Sequence, residues 1–290
     1  MVVTENLDNQ IKKFWPKNGP KTKEVEKYVK KYLKEKIVIK CGGAVLLDHG
    51  LFNNFINDVA VLKKLGLTPI VVHGGGPRIK KKLDDLNIKT KFIMGLRVTD
   101  EKVIRIVEDV MIEFNKEIVD SLEKKSCKAK SITVKENNAI YVEQKNQELG
   151  FVGRPSAIDD KLIKNLIKEN FIPIVSPIGL DKKKQIYNIN ADTAAGALAR
   201  SLKSRRLLLM TDVEGVYDKD KKLISEIKSN EAEKLIYDET INEGMIPKMR
   251  TCINAVNNGV RGVVIIDGRK PHSILFELFS DRGSGTLIRK

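Results

Sequence analysis

The sequence predicts an α/β fold in which a mainly parallel sheet is covered by helices on both faces. Two short apolar strands each run into a glycine loop and then a helical pattern, reading KCGG from Lys40 and HGGG from His73. Two more segments, Leu207 to Met210 and Val263 to Ile266, are wholly apolar, as strands buried on both sides are. Helical stretches separate these strands, the order that builds βα units. Such sheets take their ligands at the carboxyl ends of the strands.

The elements follow in order. Thr22 to Lys34 carries Val25, Val29 and Leu33 at helical spacing and reads as an N-terminal amphipathic helix added to the main fold. It either packs on its own domain or makes a contact between subunits. A strand over Ile37 to Lys40 ends in CGGA, and a helix spans Leu51 to Leu65. A second strand, Pro69 to Val72, ends in HGGG, with a helix through Leu83. Glu101 to Lys124 is a long helix; Ser131 to Val134, Ala139 to Val142 and Phe151 to Val152 read as short, partly antiparallel strands. Ile158 to Lys168 is helical and Phe171 to Ser176 is a strand. The run IYNINADTAAGALAR from Ile186 then places Asn188, Asn190 and Asp192 on alternate residues before a helix over Ala191 to Leu202. Asn190 or Asp192 could cap that helix, but one cap explains one residue, not three. Helices over Glu231 to Tyr237 and Lys248 to Asn257, a helix from Pro271 to Phe279 and a terminal strand GTLI complete a second lobe continuing the same sheet. This gives an extension over 1–35, a substrate lobe over 36–204 and a smaller lobe over 205–290.

At 290 residues, 41% hydrophobic and 31% charged, the chain has the composition of a soluble globular protein. No apolar run approaches the roughly 20 residues that span a bilayer, and MVVTENLDNQ has no signal-peptide character. A cytoplasmic protein is expected, or one of the plastid stroma if the gene is an organelle's. Cys41, Cys127 and Cys252 have no CxxC spacing, which fits a reducing compartment and argues against a zinc site. The net charge of +15 is mostly scattered lysine, and aromatics are only 6% of the chain, so stacking platforms for nucleic acid are missing. The charge suits anionic small molecules or an acidic partner.

Lys40 stands at a strand end directly before the glycines at 42 and 43, where backbone N–H groups can approach phosphate oxygens. The loop over Gly74, Gly75 and Gly76 leads into a helix near Pro77, and two such loops on one crevice suggest a polyphosphate. Neither loop is the Walker A pattern or the GxGxxG of dinucleotide folds. Arg97, in GLRVTD after a hairpin, could grip a carboxylate in two places or lie in a surface salt bridge. Lys248, in EGMIPKMR, begins a helix. His73 reads as a loop support, because no His or Cys is arranged as a general base.

Together KCGG, VHGGGP, GLRVTD, NINAD, TDVEGVYD and GMIPKM closely resemble, in order and over about Tyr28 to Ile288, the acetylglutamate kinase family of the amino acid kinase superfamily. The glycine loops and TDVEGVYD are shared with carbamate kinase, aspartokinase and uridylate kinase relatives, whereas GLRVTD with NINAD is more specific. The resemblance implies the amino acid kinase fold, a three-layer αβα sandwich with a mainly parallel central sheet plus the N-terminal helix. It implies ATP-dependent phosphorylation, with Mg²⁺, of the side-chain carboxylate of N-acetyl-L-glutamate in arginine biosynthesis. Lys40 and Lys248 would flank the transferring phosphoryl group and Asp192 would hold both lysines. Gly43, Gly75 and Gly76 would offer N–H groups to the phosphoryl and the substrate. Arg97, Asn188 and Asn190 would bind the substrate. Thr211, Asp212, Val213, Gly215, Val216, Tyr217 and Lys219 would line the ATP site, with no direct protein ligand to the metal. The N-terminal helix implies a homohexamer, a trimer of dimers, and Tyr28, His272, Glu277 and Gly283 an L-arginine site for feedback inhibition. Glu277 also reads as an ordinary helix-surface residue. Some photosynthetic relatives bind the PII signalling protein. No nucleic acid or membrane partner is implied. The alternatives are another kinase of the superfamily, acting on carbamate, aspartate or glutamate, or a catalytically silent arginine or nucleotide sensor.

Overall fold

A computed structural model describes residues 11–22, 25–241 and 244–290. Its centre is a sheet of eight strands, and four of them carry the site. They are β1 (Lys36–Cys41), β2 (Thr68–His73), β11 (Arg206–Thr211) and β15 (Val263–Asp267). All four run parallel, with β1 between β2 and β11 and with β15 beyond β11. β8 (Ile172–Val175) and β5 (Ala129–Ile132) continue the sheet past β2 in parallel. At the other edge β16 (Gly285–Arg289) pairs antiparallel to β15 and parallel to β14 (Glu226–Lys228). The strands of the stretch over 205–290 join the same sheet through the β1–β11 pair.

Strand alternation sorts the side chains between two cores. Ile37, Ile39 and Cys41 of β1 face a cluster built with α1 (Val25–Tyr32), α2 (His49–Lys64), part of α4 (Glu101–Glu123) and α9 (Ser273–Phe279). Val38 faces the opposite cluster, built with α6 (Ala191–Ser201) and α8 (Ile246–Asn257). Lys40, two residues beyond Val38, therefore emerges on the α6 and α8 side at the carboxyl end of its strand. Helix α6 is alanine-rich, and Gly196 comes so close to α8 that a Cβ there would sit 2.8 Å from Thr251 Cγ2. Small residues let the two helices approach, and their first turns carry Asp192 and Lys248.

A second sheet orders β10 (Ile186–Asn188), β9 (Ile178–Leu180), β6 (Ile140–Gln144) and β7 (Gly153–Ile158). Two hairpins complete the strands, β3 (Phe92–Ile93) with β4 (Leu96–Arg97), and β12 (Val216–Tyr217) with β13 (Leu223–Ile224). The remaining helices are α3 (Gly76–Asp85), α5 (Asp160–Lys168) and α7 (Ser229–Tyr237).

Three expectations need correction. The strand expected over Ser131 to Val134 lies at 129–132 and is a parallel member of the main sheet, because Ala129 and Ile132 supply its buried contacts. Phe151 and Val152 precede a strand instead of forming one; β7 reads GRPSAI, whose glycine and proline hide it. In α1 the buried face is Val25, Tyr28, Val29 and Tyr32, while Leu33 is exposed, since the tyrosines bury their rings under the C-terminal segment. The part of the N-terminal extension over residues 1–10 lies outside the described residues.

Candidate active site

The carboxyl ends of β1 and β2 open into a cleft of about 260 Å³. Lys40, the loop glycines at 42, 43 and 74 to 76, Arg97, Asn188 and Asn190 line it, together with Phe92, Met111, Val152 and Pro177. Lys40 is buried and its Nζ lies 3.1 Å from Asp192 Oδ1; the same ammonium donates to the Met210 carbonyl at 3.3 Å. Lys248 Nζ donates to Asp192 Oδ2 at 2.5 Å. One carboxylate thus spans two ammonium groups from β1 and α8. Burial pushes the Asp192 carboxyl toward the neutral form, but Lys40 and Lys248 outweigh it and hold the group at about 2. The unit carries a net positive charge, which suits an incoming polyanion.

The glycines are there for space. A Cβ on Gly42 would overlap the Lys40 ammonium. Gly43 has φ +65°, and a Cβ there would overlap the Asp212 carboxylate, whose Oδ1 accepts from the Ala44 amide at 2.8 Å. At Gly75 a Cβ would come within 2.7 Å of the Met111 thioether, whereas Gly76 meets nothing within 4 Å and borders open cleft. Gly75 caps α3, so the free N–H groups of that first turn belong to the cleft wall.

His73 holds the loop from below. It is fully buried, and burial depresses its pKa to about 4, so the ring is neutral. Nδ1 donates to the Gly74 carbonyl at 3.0 Å, which leaves Nε2 to accept from Ser176 Oγ at 3.1 Å or Asn115 Nδ2 at 3.2 Å. Arg78 braces the facing turn: Nε donates to the Leu46 carbonyl at 3.0 Å while the guanidinium grips both oxygens of Glu117. Neither Arg78 nor Asn115 carried a sequence signal.

Arg97 sits on the second strand of its hairpin, where it donates to Thr90 Oγ1 at 2.8 Å and to the Gly76 carbonyl at 3.3 Å, and lies over the Phe92 ring. No carboxylate among the described residues comes within ion-pairing distance of it, so the surface salt bridge is not what it makes. Burial lowers its pKa from the usual range. Asn188 Nδ2 donates to Thr99 Oγ1 at 3.4 Å, and Thr99 Oγ1 donates to the Arg97 carbonyl at 2.9 Å, so NINAD and GLRVTD meet side by side. Asn190 caps α6 by accepting from the Thr193 amide at 3.0 Å. The three alternating residues thus divide: Asn188 against Thr99, Asn190 at the cap, Asp192 between the lysines.

Beyond the lysine pair, Val216 and Tyr217 form strand β12, and Tyr217 donates to Glu214 at 3.1 Å. Lys219 pairs with Asp238 at 3.4 Å on the surface. At the chain's other end Glu277 accepts from the Ser284 amide at 2.9 Å, and burial raises its pKa. Gly283, at φ +66°, passes close to that carboxylate. Tyr28 donates to Asp281, and His272 Nδ1 lies 2.6 Å from the buried Asp58. Among the described residues no group of three His, Cys, Asp or Glu is placed to hold a metal, and no helix is long and apolar enough to cross a membrane.

The model of the Amino acid kinase family matches residues 35–267. An acetylglutamate kinase of Pelagibacter ubique (strain HTCC1062) is 58% identical over 283 residues, 98% of each chain. That of Methylobacterium nodulans is 43% identical over 271 residues, 89% of each. Among solved structures, an N-acetylglutamate synthase from Neisseria gonorrhoeae, complexed with coenzyme A and N-acetyl-glutamate, superposes with a TM-score of 0.84 at 22% identity. It is matched over 92% of this chain, which spans 62% of the synthase's length. Carbamate kinase from Giardia lamblia, bound to AMP-PNP, gives 0.68 at 17% identity, over 89% of this chain and 99% of that one. At these identities the two structures speak for the fold.

Proposed function

The chain belongs to the amino acid kinase family and, within it, to the acetylglutamate kinases, and from that premise we propose how its cleft transfers a phosphoryl group from ATP to the side-chain carboxylate of N-acetyl-L-glutamate. The observation that carries this reading is the Lys40–Asp192–Lys248 unit, whose Lys40 lines a glycine-lined cleft together with Arg97, an arginine with no ion-paired carboxylate among the described residues.

A carboxylate with an ordinary pKa of about 4.3 is already ionised at neutral pH, so it attacks the γ-phosphorus without a general base. The barrier lies in bringing an anion to a polyanion, and positioning and positive charge lower it. Lys40 and Lys248 approach the transferring group from two sides and stabilise the charge on its equatorial oxygens. Asp192 keeps both ammonium groups aimed and does not itself exchange a proton, since its carboxyl stays ionised down to about pH 2. The amides of Gly43, Gly75 and Gly76 receive phosphoryl and substrate oxygens. Arg97 takes the substrate's α-carboxylate, while Asn188 and Asn190 hold the remainder. The segment over Thr211, Asp212, Val213, Gly215, Val216, Tyr217 and Lys219 borders ATP. The cleft's donors are ammonium groups and amides, and among the described residues no group of three His, Cys, Asp or Glu is placed to hold a metal, so Mg²⁺ would come with the ATP phosphates and would supply further positive charge there. A pure sensor would not need this transition-state charge.

The same reading gives the C-terminal segment an L-arginine site. Glu277, half-buried next to Gly283 and Ser284, has a carboxylate oxygen suited to a guanidinium, and Tyr28 and His272 bound the same region. Feedback inhibition follows, as does an interlaced hexamer through the N-terminal helix. For PII no surface feature among the described residues argues. Trapping of the acyl phosphate with hydroxylamine, across N-acetyl-L-glutamate, glutamate, aspartate and carbamate, tests the substrate. Hydroxamate from glutamate or aspartate in preference to N-acetyl-L-glutamate rejects it. Activity unchanged up to millimolar arginine rejects the regulatory part.

A further inference from the structure

One buried hydroxyl outside the cleft holds the hairpin that follows TDVEG. Thr286 lies in β16, is fully buried and pairs with Ile265 of β15. Its Oγ1 accepts from the Val216 amide at 2.8 Å and donates to the Ile224 carbonyl at 2.6 Å. Val216 and Ile224 are register partners, so a single hydroxyl closes the paired end of the β12–β13 hairpin from both sides and docks it on the main sheet. The Leu287 amide, which donates to the Ser225 carbonyl at 2.9 Å, ties the chain just past β13 to β16 as well. Two glycines make room: a Cβ on Gly215 would overlap Thr286 Oγ1, and one on Gly285 would overlap the Ile265 carbonyl. Gly215 and Thr286, 71 positions apart, are thus one spatial unit. In the sequence GTLI reads only as a terminal strand.

We infer that Thr286 is a positioning residue for the nucleotide, setting the Val216–Ile224 hairpin against the sheet so that the segment from Thr211 to Lys219 meets ATP at a fixed distance from the lysine pair. The inference rests on the reading above that this segment borders ATP. Thr286 touches no reacting atom; it acts through the Val216 and Ile224 backbone groups. Removing the hydroxyl leaves a buried N–H and a half-buried carbonyl without this partner, and the hairpin relieves that by moving away.

The test uses the full chain with Thr286→Val, which keeps the shape and loses both hydrogen bonds, and Thr286→Ser, which keeps them. ATP binding is measured by titration calorimetry, and KM values for ATP and N-acetyl-L-glutamate by initial rates. Thr286→Val is expected to raise the Kd and KM for ATP about tenfold with the acetylglutamate KM within twofold of wild type, and Thr286→Ser to restore ATP binding. Equal ATP affinity in Thr286→Val and wild type, a parallel rise in both KM values, or no rescue by serine overturns the inference. A wild-type chain that binds no ATP would instead overturn the functional reading beneath it. Should Thr286→Val not fold, Thr286→Cys makes the same test, because a thiol of similar size is a much weaker donor and acceptor than the hydroxyl.

Discussion

Replacing Asp192 by asparagine removes one charge from the centre of the site and almost no volume. The folded protein holds this carboxyl at about 2 against an ordinary 3.8, although burial alone would raise it. The shift corresponds to about 2 kcal/mol in favour of the ionised form, contributed first by Lys40 and then by Lys248. With asparagine in its place the two ammonium groups, no more than about 8 Å apart, repel by about 2 kcal/mol at an effective dielectric near 20. They relax by swinging apart, and a displacement of about 1 Å at a reacting centre costs on the order of a hundredfold in rate. We therefore expect Asp192→Asn to lower kcat by about a hundredfold or more, to shift both KM values by less than about threefold, and to cost about 2 kcal/mol of stability in urea unfolding. Initial rates of hydroxamate formation and the denaturation midpoint read both effects. A kcat within about threefold of wild type would refute the aiming role, because the lysines would then be placed without the charge between them.

Lys248→Ala should lower kcat about a hundredfold, the loss of roughly 3 kcal/mol of charge-assisted contact in the transition state, with little change in melting temperature. Asn188→Ala should raise the acetylglutamate KM and leave kcat nearly intact, as steady-state kinetics would show. Gly42→Ala should lower kcat by crowding the Lys40 ammonium while the acetylglutamate KM moves little; a variant with full turnover contradicts the geometry. His73, depressed to about 4 by burial, should stay neutral in ring-nitrogen NMR until the pH approaches 4. Between pH 6.5 and 4 the unfolded chain takes up a proton there that the native chain does not. The stability from His73 is therefore complete above 6.5 and falls by about 3 kcal/mol through that window, a loss that His73→Asn should remove.

What the sequence made legible was local. Buried parallel strands announce themselves as apolar runs, and the loops after Lys40 and His73 as glycines, because those signals need no distant residue. The Lys40–Asp192–Lys248 unit is not readable in this way. Its members lie on β1, α6 and α8, and they meet because β1 alternates Val38 and Lys40 onto one face and Gly196 lets the helices close up. The motif resemblance supplied the three residues; packing explains why they touch. Arg97 shows the limit of residue-type reasoning, since its type and position leave a carboxylate grip and a surface salt bridge both open, and among the described residues no carboxylate lies within ion-pairing distance of it. Tyr28 and Tyr32 fall outside the Val25, Val29 and Leu33 spacing, although their rings share the buried face of α1. Strand β7 was hidden by Gly153 and Pro155, tolerated because its pairing with β6 outweighs local propensity.

The measurement that reaches the central claim most directly follows one oxygen atom. N-acetyl-L-glutamate labelled with ¹⁸O in its side-chain carboxylate is incubated with the enzyme, ATP, Mg²⁺ and hydroxylamine, and the released phosphate is analysed by mass. If the carboxylate oxygen attacks the γ-phosphorus, that oxygen becomes the bridge of the acyl phosphate. Hydroxylamine then attacks the carbonyl carbon and expels phosphate, which carries one ¹⁸O for every hydroxamate formed. Unlabelled phosphate, or phosphate released without hydroxamate, would mean that water takes the phosphoryl group, and the account of the cleft would fail.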